Sequence, residues 1–521
     1  MATKVSTQPV DEVPVTVAGV MGKSGGGNDD FYNRILIEPS ALDLGNVISA
    51  QTRPVSVWNG FFGNRTLSGF GVGGTGNITV VEPVSTPYTL RPLQELIYTI
   101  QADVNGPPSI DANLNWMIDD VLYRAVVVGR RVIVFPFGPD WKNQVTESLE
   151  WKTDILRSFN GTEQRRSLRT KARRSFEYRM MAKGQDAALF DNLLWGWQNR
   201  MYAIPVWTDK VRLVGDHAAG TVSLAIPTET YSFAEGGMAI LIKSPTEYEV
   251  ASITSVTSSS IGIARPLEKS WPENTLVYPA EICYLPTSVP VQRLTGGVLT
   301  ATISAKASPV EANPYTPSAV APSTYKGVDV LTRQPNWIRP LDQTAEFAYD
   351  LADQGFGAVL QYPNEEFPRV VRRYSWLLRD RNQILAFREL LNRLRGQAKT
   401  VWIPSWHLDF QVVQQIGAAN LSIKVKDNGF NQMVGLDAAR NHLCLRTEDG
   451  QTFYREITGV SILDGVTTLT IDSPLGVTIP TTSVKALHVL MRNRLATDKV
   501  DIAWRSNQVA TIETTFTTVL Q

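Results

Sequence analysis

An internal duplication constrains the fold of this chain more than any other feature of its sequence. Pro139-Asp140-Trp141 matches Pro335-Asn336-Trp337, and Asp154-Ile155 matches Asp350-Leu351, both at an offset of 196 residues (335 minus 139, 350 minus 154). Further matches follow in the same order up to a Thr/Val-rich strand that closes each copy. One such match can arise by chance, but six in order indicate two copies of one module.

Both copies show the same predicted order of elements. Arg173-Arg174 precedes an aromatic-rich strand in the first copy, and Arg372-Arg373 precedes one in the second. An amphipathic helix follows, and an Ile-Pro-x-Trp sequence then ends the helix and starts a strand. A β-rich stretch lies between that strand and the last one. Each module is therefore predicted to be an α+β unit, a β-sandwich plus one helix, with an inserted small β domain. The apolar stripes of the two helices are Leu189, Phe190, Leu193, Leu194 and Trp197, and Ile384, Phe387, Leu390, Leu391 and Leu394.

The other segments complete a mainly β chain. Short alternating runs separated by Gly, Pro and Asn predict a β-sandwich over residues 34–137. Residues 1–33 are predicted to be an N-terminal arm, and residues 308–325 a Pro/Ser-rich linker. The linker separates the first module, residues 138–307, from the second module, residues 326–521.

Composition excludes several classes of protein. The 50 basic and 50 acidic side chains balance, which argues against a strongly basic nucleic-acid binder. Only two cysteines occur, Cys283 and Cys444, so neither a disulfide framework nor a cysteine-based zinc site is expected. The N-terminus lacks the pattern of a secretory signal, and the most apolar stretch, residues 125–137, is too interrupted to span a bilayer. We therefore expect a soluble multidomain protein of a reducing compartment.

The duplicated pattern resembles a known family. A charged strand followed by a helix that ends in an aromatic-x-Pro-x-Trp strand resembles the tail-tube-like modules of phage distal tail and baseplate hub proteins. The run from Gly161 to Arg165 is similar to that family's Gly-x-Glu-Gln-Arg motif, which the second copy lacks. Residues 271–285 are similar to an inserted β module of phage tail proteins. The run IEPSALDLGNV resembles the opening strand of immunoglobulin-like domains.

This resemblance implies a structural virion protein of a phage tail tip, made in the host cytoplasm. Such a protein continues the tail tube, forms a homo-oligomeric ring of three or six chains and docks neighbouring tail-tube, hub or fibre proteins. DNA passes transiently through the ring, and no membrane insertion is implied. Two alternatives remain: a connector or nozzle of a short-tailed phage, and, less favoured, a carbohydrate-binding or wall-degrading adsorption protein.

We predict no enzyme activity and no catalytic, cofactor or metal site. The G-x-G-x-x-G spacing of residues 69–74 precedes a strand rather than a helix, so it predicts a turn loop. The four histidines lack a metal-binding spacing, and we expect His407 to have a packing role. Asp119-Asp120 and Glu365-Glu366 are adjacent carboxylates expected in solvated turns, whereas glycoside hydrolysis needs two carboxyl groups set apart in a cleft.

The arginines before and within the charged strands are the candidate functional residues. They can form a basic surface for DNA phosphates, or ion pairs with a neighbouring subunit. We favour the second reading because the chain is neutral and DNA must slide rather than be held. The candidate inter-subunit or channel contacts are Arg165, Arg173, Arg174, Arg372 and Arg373.

Overall fold

The structure is a computed structural model that confirms the predicted mainly β fold class. It describes residues 32–48, 50–104, 106–158, 160–308, 322–337, 340–365, 367–436 and 439–519, in which 37 strands and three α-helices occur. Nearly all of the predicted arm, and residues 309–321 of the predicted linker, lie outside these ranges. The chain divides into two compact units, residues 1–133 and residues 134–521.

The first unit contains two sheets that share one core. The first sheet has the order β1-β3-β7-β5 and the second has the order β2-β9-β8-β4-β6. Alternate residues point inward along the long strands, as in β8, so that side chains of both sheets meet between them. Tyr98 and Trp116, one from each sheet, contact edge to face at 5.3 Å. The strands are β1 (Ile35–Glu38), β2 (Ala41–Val47), β3 (Gln51–Asn59), β4 (Arg65–Thr75), β5 (Ile78–Val81), β6 (Tyr88–Leu90), β7 (Glu95–Ala102), β8 (Ser109–Ile118) and β9 (Val121–Arg131), and β10 (Ile133–Val134) follows at the unit boundary.

The glycine-rich segment 69–74 is part of a strand, so the predicted turn loop was wrong. These residues lie within β4, which pairs with β8 so that Gly73 is opposite Asn113 and Gly71 is opposite Asn115. A Cβ on Gly74, whose φ is +84°, would approach the backbone oxygen of Asp111 to 2.5 Å. Glycine is therefore needed there for close approach of two strands.

The second unit begins with the elements of the first module. A strand and a hairpin precede the long arginine-rich strand and the helix. These elements are β11 (Val145–Glu150), β12 (Thr153–Arg157), β13 (Glu163–Ser167), β14 (Arg173–Lys183), α1 (Gln185–Trp197), β15 (Met201–Pro205), β16 (Val211–Arg212), β17 (Ser223–Ala225), β18 (Met238–Ser244), β19 (Glu247–Val256), β20 (Ser260–Ile263), β21 (Leu276–Tyr284), β22 (Val291–Thr295) and β23 (Val298–Ala307).

The second module adds two short strands at its start and a short helix in its insertion. Its elements are β24 (Thr324–Tyr325), β25 (Val328–Asp329), β26 (Asp342–Glu346), β27 (Tyr349–Ala352), β28 (Leu360–Pro363), β29 (Arg369–Leu378), α2 (Arg381–Leu394), β30 (Val401–Pro404), β31 (Ser422–Lys426), α3 (Phe430–Met433), β32 (His442–Thr447), β33 (Thr452–Leu463), β34 (Val466–Ile471), a 3-10 helix (Thr481–Ser483), β35 (Val484–Leu495), β36 (Lys499–Trp504) and β37 (Ala510–Thr518).

Strand pairing follows the same plan in both modules. The arginine-rich strand lies between the first and last strands, as β11-β14-β23 in one module and β26-β29-β37 in the other. The strand after the helix pairs with the long strand near the end, as β15-β21 and β30-β35. The insertions also correspond, since β17-β20-β19-β18 has the counterpart β31-β34-β33-β32. Each insertion has its own apolar core.

The helices begin differently in the two modules. Asp380 precedes α2 in an extended conformation, and its side chain accepts a hydrogen bond from the backbone N–H of Gln383. This cap satisfies one of the unpaired N–H groups of the first turn. Gly184 precedes α1 and provides no side-chain cap. In the described part of the chain, no helix is long and apolar enough to cross a membrane.

Replacing Asp380 by alanine should lower the free energy of unfolding by about 1 kcal/mol, because the cap of α2 is lost. Urea unfolding followed by tryptophan fluorescence measures this change. The matched control is Asp186→Ala in the first turn of α1, which removes a favourable charge but no cap and should cost about 0.3 kcal/mol. Equal losses in the two variants would show that the cap does not stabilise α2.

Candidate assembly interface

One continuous layer of eight antiparallel strands runs through both modules. Strand β36 of the second module pairs with β11 of the first, with Trp504 opposite Val145 and Lys499 opposite Glu150. The strand order across the layer is β26-β29-β37-β36-β11-β14-β23-β22. The two modules are therefore joined by a backbone hydrogen-bond ladder as well as by side chains.

The two faces of this layer differ in polarity. Directly opposite residues share a face, so rows of residues can be followed from strand to strand. One row is buried, and it is apolar except for a carboxylate at the module junction. The neighbouring row lies on the opposite face, called here the polar face. The buried row is Trp376, Ile512, Ile502, Glu147, Phe176 and Ala305, and the polar row is Ser375, Glu513, Asp501, Ser148, Ser175 and Lys306.

The polar face carries charges of both signs, and several of them form ion pairs. Arg373 pairs with Glu513 at 2.5 Å, and Lys499 approaches Asp501 to 3.3 Å. A groove of about 670 Å³ crosses this face and is lined mainly by Ser, Thr and charged side chains of both modules. Because opposite charges are neighbours, the face has no large field of one sign.

Glu147 stands at the centre of the junction between the modules. It is fully buried and accepts hydrogen bonds from Arg174 of its own module (2.7 Å) and from Arg388 of α2. The indole N–H of Trp504 donates to the second carboxylate oxygen at 2.9 Å. Burial alone raises the pKa of Glu147, but Arg174 and Arg388 outweigh it and hold that pKa below its ordinary value.

A second buried carboxylate holds the start of α2. Asp209 of the first module accepts from Arg381 at 2.7 Å and from the backbone N–H of Ser232 at 3.0 Å. Arg381 also donates to the carbonyl oxygens of Thr208 and Thr230. Burial opposes ionisation of Asp209, but the nearby guanidinium groups outweigh it and its pKa lies well below the ordinary range.

The first-module hairpin (β12, β13 and the turn between them) also contacts the second module. Asp498 accepts from the backbone N–H and the hydroxyl of Thr153, at 2.7 and 2.8 Å. Glu163 accepts two hydrogen bonds from Arg494, at 2.7 and 2.8 Å. Strand pairing, a buried charge cluster and this hairpin therefore hold the modules together.

The two outer strands of the layer lack these contacts. Within the described residues, the residue-by-residue register pairs β26 with β29 and β22 with β23, and with no other strand. Every residue of β26 and all but one of β22 are exposed, whereas most residues of β11 and the alternate residues of β36 are buried. By its place in the module, β22 corresponds to β36 and β26 corresponds to β11. The equivalents of the two strands that join the modules therefore lie at the outer edges of the layer.

The structure separates the five candidate arginines. Arg173 and Arg373 lie on the polar face. Arg174 and Arg372 are buried, Arg174 against Glu147 and Glu281 and Arg372 against Gln343 and the sulfur of Met491. Arg165 lies in the first-module hairpin, opposite Ile155, and burial lowers its pKa.

In the structure, the arginines of the two modules correspond with a shift of one residue relative to the match seen in the sequence. Arg174 and Arg372 both precede two inward aromatic residues in their strands, Phe176 and Tyr178 in β14, and Tyr374 and Trp376 in β29. The sequence pattern places Arg173-Arg174 opposite Arg372-Arg373, and so predicts that Arg174 corresponds to Arg373. A shift of one residue exchanges the two faces of a strand, so the error reverses which arginine is buried.

The residues of the junction were missed in the sequence. Glu147 occupies an inward position between Val145 and Leu149, all three buried in β11. A charged residue at an inward position of an alternating strand is unusual and was the available signal. Asp209, Arg381 and Arg388 carry no comparable signal, because their partners come from another module.

The residues that the sequence offered for chemistry differ in their surroundings. The backbone N–H of His407 donates to the Ser405 hydroxyl, which in turn donates to Asp409. Asp119 and Asp120 form the β8-β9 turn with positive φ. No group of three or more His, Cys, Asp or Glu side chains suited to a metal occurs in the described residues.

Glu365 is not a solvated turn carboxylate, so that expectation was wrong. Its side chain is 2% exposed and pairs with Arg157 of the first-module hairpin and with Arg369. Gly161 approaches it so closely that a Cβ there would lie 2.5 Å from the carboxylate oxygen. Glu365 therefore belongs to the junction, while Glu366 lies outside the described residues.

Comparisons with known proteins identify no family. No protein-family model matches the sequence, and no curated protein matches it. Among solved structures, a similarity is found to the secreted serine protease VesC from Vibrio cholerae, with 8% identity over 46% of this chain and a TM-score of 0.16. The match spans about half of that chain (49%). At this TM-score the similarity carries no argument.

Replacing Glu147 by glutamine should destabilise the second unit by about 3–5 kcal/mol, because two buried guanidinium groups lose their shared counter-charge. Urea unfolding followed by tryptophan fluorescence gives this difference. The matched control is Glu177→Gln in the adjacent strand, where an exposed side chain on the polar face should change stability by less than about 0.5 kcal/mol. Similar effects of the two changes would contradict a central role for Glu147.

The stabilisation by Glu147 should disappear in acid. Its folded pKa lies below the ordinary value of 4.5, so the folded state binds fewer protons than the unfolded state. The contribution is therefore complete above that value and is lost as the pH falls through the folded pKa. We expect the difference in unfolding free energy between wild type and Glu147→Gln to stay constant from about pH 7 to pH 5 and to shrink below about pH 4. A difference that persists unchanged at about pH 3 would overturn this assignment.

Proposed function

We propose that the chain is a structural virion protein of a phage tail tip, which assembles into a homo-oligomeric ring that conducts DNA. The resemblance of its modules to tail-tube-like modules supports the tail assignment. The assembly itself is supported independently by the arrangement of the modules, and it needs no catalytic or metal-binding residue.

The junction between the modules is the observation that carries the proposal. Within one chain, β36 of the second module pairs with β11 of the first. The layer ends in the equivalents of these two strands, since β22 corresponds to β36 and β26 corresponds to β11. Both of these outer strands have one edge without a partner strand in the described residues. The chain therefore offers a junction of the same kind to its own copies, with β26 of one copy beside the β22 edge of the next.

Such a contact joins two different surfaces and repeats head to tail. A heterologous contact of this type gives a closed ring when its rotation closes, and closure protects all exposed strand edges from uncontrolled pairing. Pro290 fits this arrangement. Its carbonyl accepts from Thr302 of β23, so its missing N–H falls on the paired side rather than on the free edge.

We assign the polar face to the channel, since the opposite face packs against the helices. Interspersed Ser, Thr, Arg and Glu side chains give it little net field, which allows DNA to slide instead of binding phosphate by phosphate. Arg173 and Arg373 lie on this face, and the ion pair with Glu513 limits the attraction of Arg373 for DNA phosphates.

Electron microscopy and mass measurement on one sample of purified full-length chain test the proposal. We expect closed rings with a central hole. Eight strands per chain make the alternatives distinguishable: at about 4.8 Å per strand and about 40° tilt, three copies enclose roughly 48 Å between opposite backbones, and six copies about twice that.

The result also decides between a ring and the competing classes. A particle mass of three or six chains with the matching hole supports the ring. A chain that stays monomeric, or that forms only open filaments, would refute it. Binding to cell-wall glycans by the monomer would then favour the adsorption protein.

A further inference from the structure

Each module carries a hairpin between its arginine-rich strand and the strand that comes before the hairpin, which is β11 in the first module and β26 in the second. The first-module hairpin follows β11 and lies against the second module of the same chain, through Thr153 to Asp498 and Glu163 to Arg494. The second-module hairpin consists of β27, β28 and the turn between them, and it follows β26. The duplicated plan therefore gives two equivalent arms, of which the first is docked.

The second-module hairpin is exposed and apolar. All eight residues of its two strands are exposed. Phe356 at its turn is 81% exposed and Leu351 is 58% exposed. Opposite residues share a face, so Leu351 lies on one face of the hairpin and Leu360 on the other. Exposed apolar side chains on both faces of one hairpin favour an interaction site. The exposed apolar side chains of this hairpin are Tyr349, Leu351, Phe356, Val359, Leu360 and Tyr362.

The docked hairpin shows which surface its counterpart needs. The first-module hairpin contacts Asp498 in the turn between β35 and β36, and Asp498 also accepts from the backbone N–H of Gln397, just beyond α2. The corresponding region of the first module is the end of α1 with the connection from β21 to β22. This region is also exposed and apolar, since Trp195 is 95% exposed and Tyr284 and Leu294 are exposed beside the free edge.

The α1 surface also matches the junction surface of α2. Phe190 and Phe387 are the buried aromatic residues of the two helices, so Asp191 corresponds to Arg388, the residue that reaches Glu147. Trp195 is four residues after Asp191 and therefore lies on the same helix face. The exposed face of α1 is thus the counterpart of the α2 face that another module already covers.

We infer that the second-module hairpin is an inter-chain arm, which docks against the Trp195 face of α1 in a second copy of this chain. This inference rests on the proposed ring, and it names the segment that closes each boundary between chains. The arm is the second-module hairpin and its acceptor is Trp195 with Tyr284 and Leu294.

The junction inside a chain and the junction between chains differ in chemistry, and this difference determines the order of the modules around the ring. Inside the chain the hairpin is held by carboxylate–guanidinium contacts such as Glu163 with Arg494. Between chains the contact is aromatic and aliphatic. An apolar arm placed on the charged surface would leave Arg494 without its partner, so the two arms are not interchangeable. The modules therefore alternate around the ring.

Single charged substitutions test the arm and its acceptor. Leu351→Arg in the hairpin and Trp195→Arg on α1 change exposed side chains, so the separate chains are expected to fold as before. We expect each variant to raise the concentration needed for half-assembly at least about tenfold in sedimentation velocity runs. The matched control is Leu463→Arg at the β33-β34 turn, a side chain that is 75% exposed and lies on an insertion. The control should assemble like the wild type.

Photo-crosslinking identifies the occupant directly. Benzoylphenylalanine placed at position 356 of the full-length chain should cross-link to α1, residues 185–197, of another copy. Mixed isotope-labelled and unlabelled chains show whether the cross-link joins two copies.

The outcomes separate this inference from the ring itself. Loss of assembly in both variants together with a cross-link to α1 of a second copy supports the arm. If the Leu351→Arg and Trp195→Arg variants form rings as readily as the wild type, the arm is overturned and the proposed ring is retained. A cross-link from position 356 to any other surface also overturns it. A wild-type chain that forms no ring overturns both proposals.

Discussion

The pairing of β36 with β11, closed on its buried side by Glu147, is the constraint on which the rest of the second unit depends. The backbone ladder makes two modules into one layer, and Glu147 joins Arg174, Arg388 and Trp504 beneath it. A buried carboxylate is tolerated only because two guanidinium groups and an indole N–H satisfy it. The same group of contacts fixes the position of α2 and leaves two equivalent strand edges free.

The polar face follows from that layer. A strand alternates its side chains, so once one row is committed to the helices, the neighbouring row must face away from them. Serine and charged side chains of both signs fill this row across six strands in succession. Two modules with different strand plans would not be expected to place their polar rows on the same face of one layer. Here they agree because both modules use the same strand plan, and the proposed ring needs this agreement for a continuous wall.

The internal boundary between the modules and the outer surfaces differ in chemistry. The internal boundary is always formed, since both partners belong to one chain, and it is rich in buried ion pairs such as Asp209 with Arg381. Ion pairs fix orientation when both partners are held close, but they bring a large desolvation cost. The outer surfaces instead expose Trp195 and the apolar second-module hairpin. Burial of such side chains gives association its main driving force without buried charges to satisfy.

The sequence by itself determined the mainly β class and both long helices, because these depend on local periodicity. It did not determine which arginine of each pair is buried. Arg174 and Arg372 correspond only when the strands are placed face to face, and a one-residue shift reverses the answer. The junction was also decided by the tertiary structure alone. Glu147 and Arg388 are 241 residues apart, and nothing local to either residue specifies that they meet.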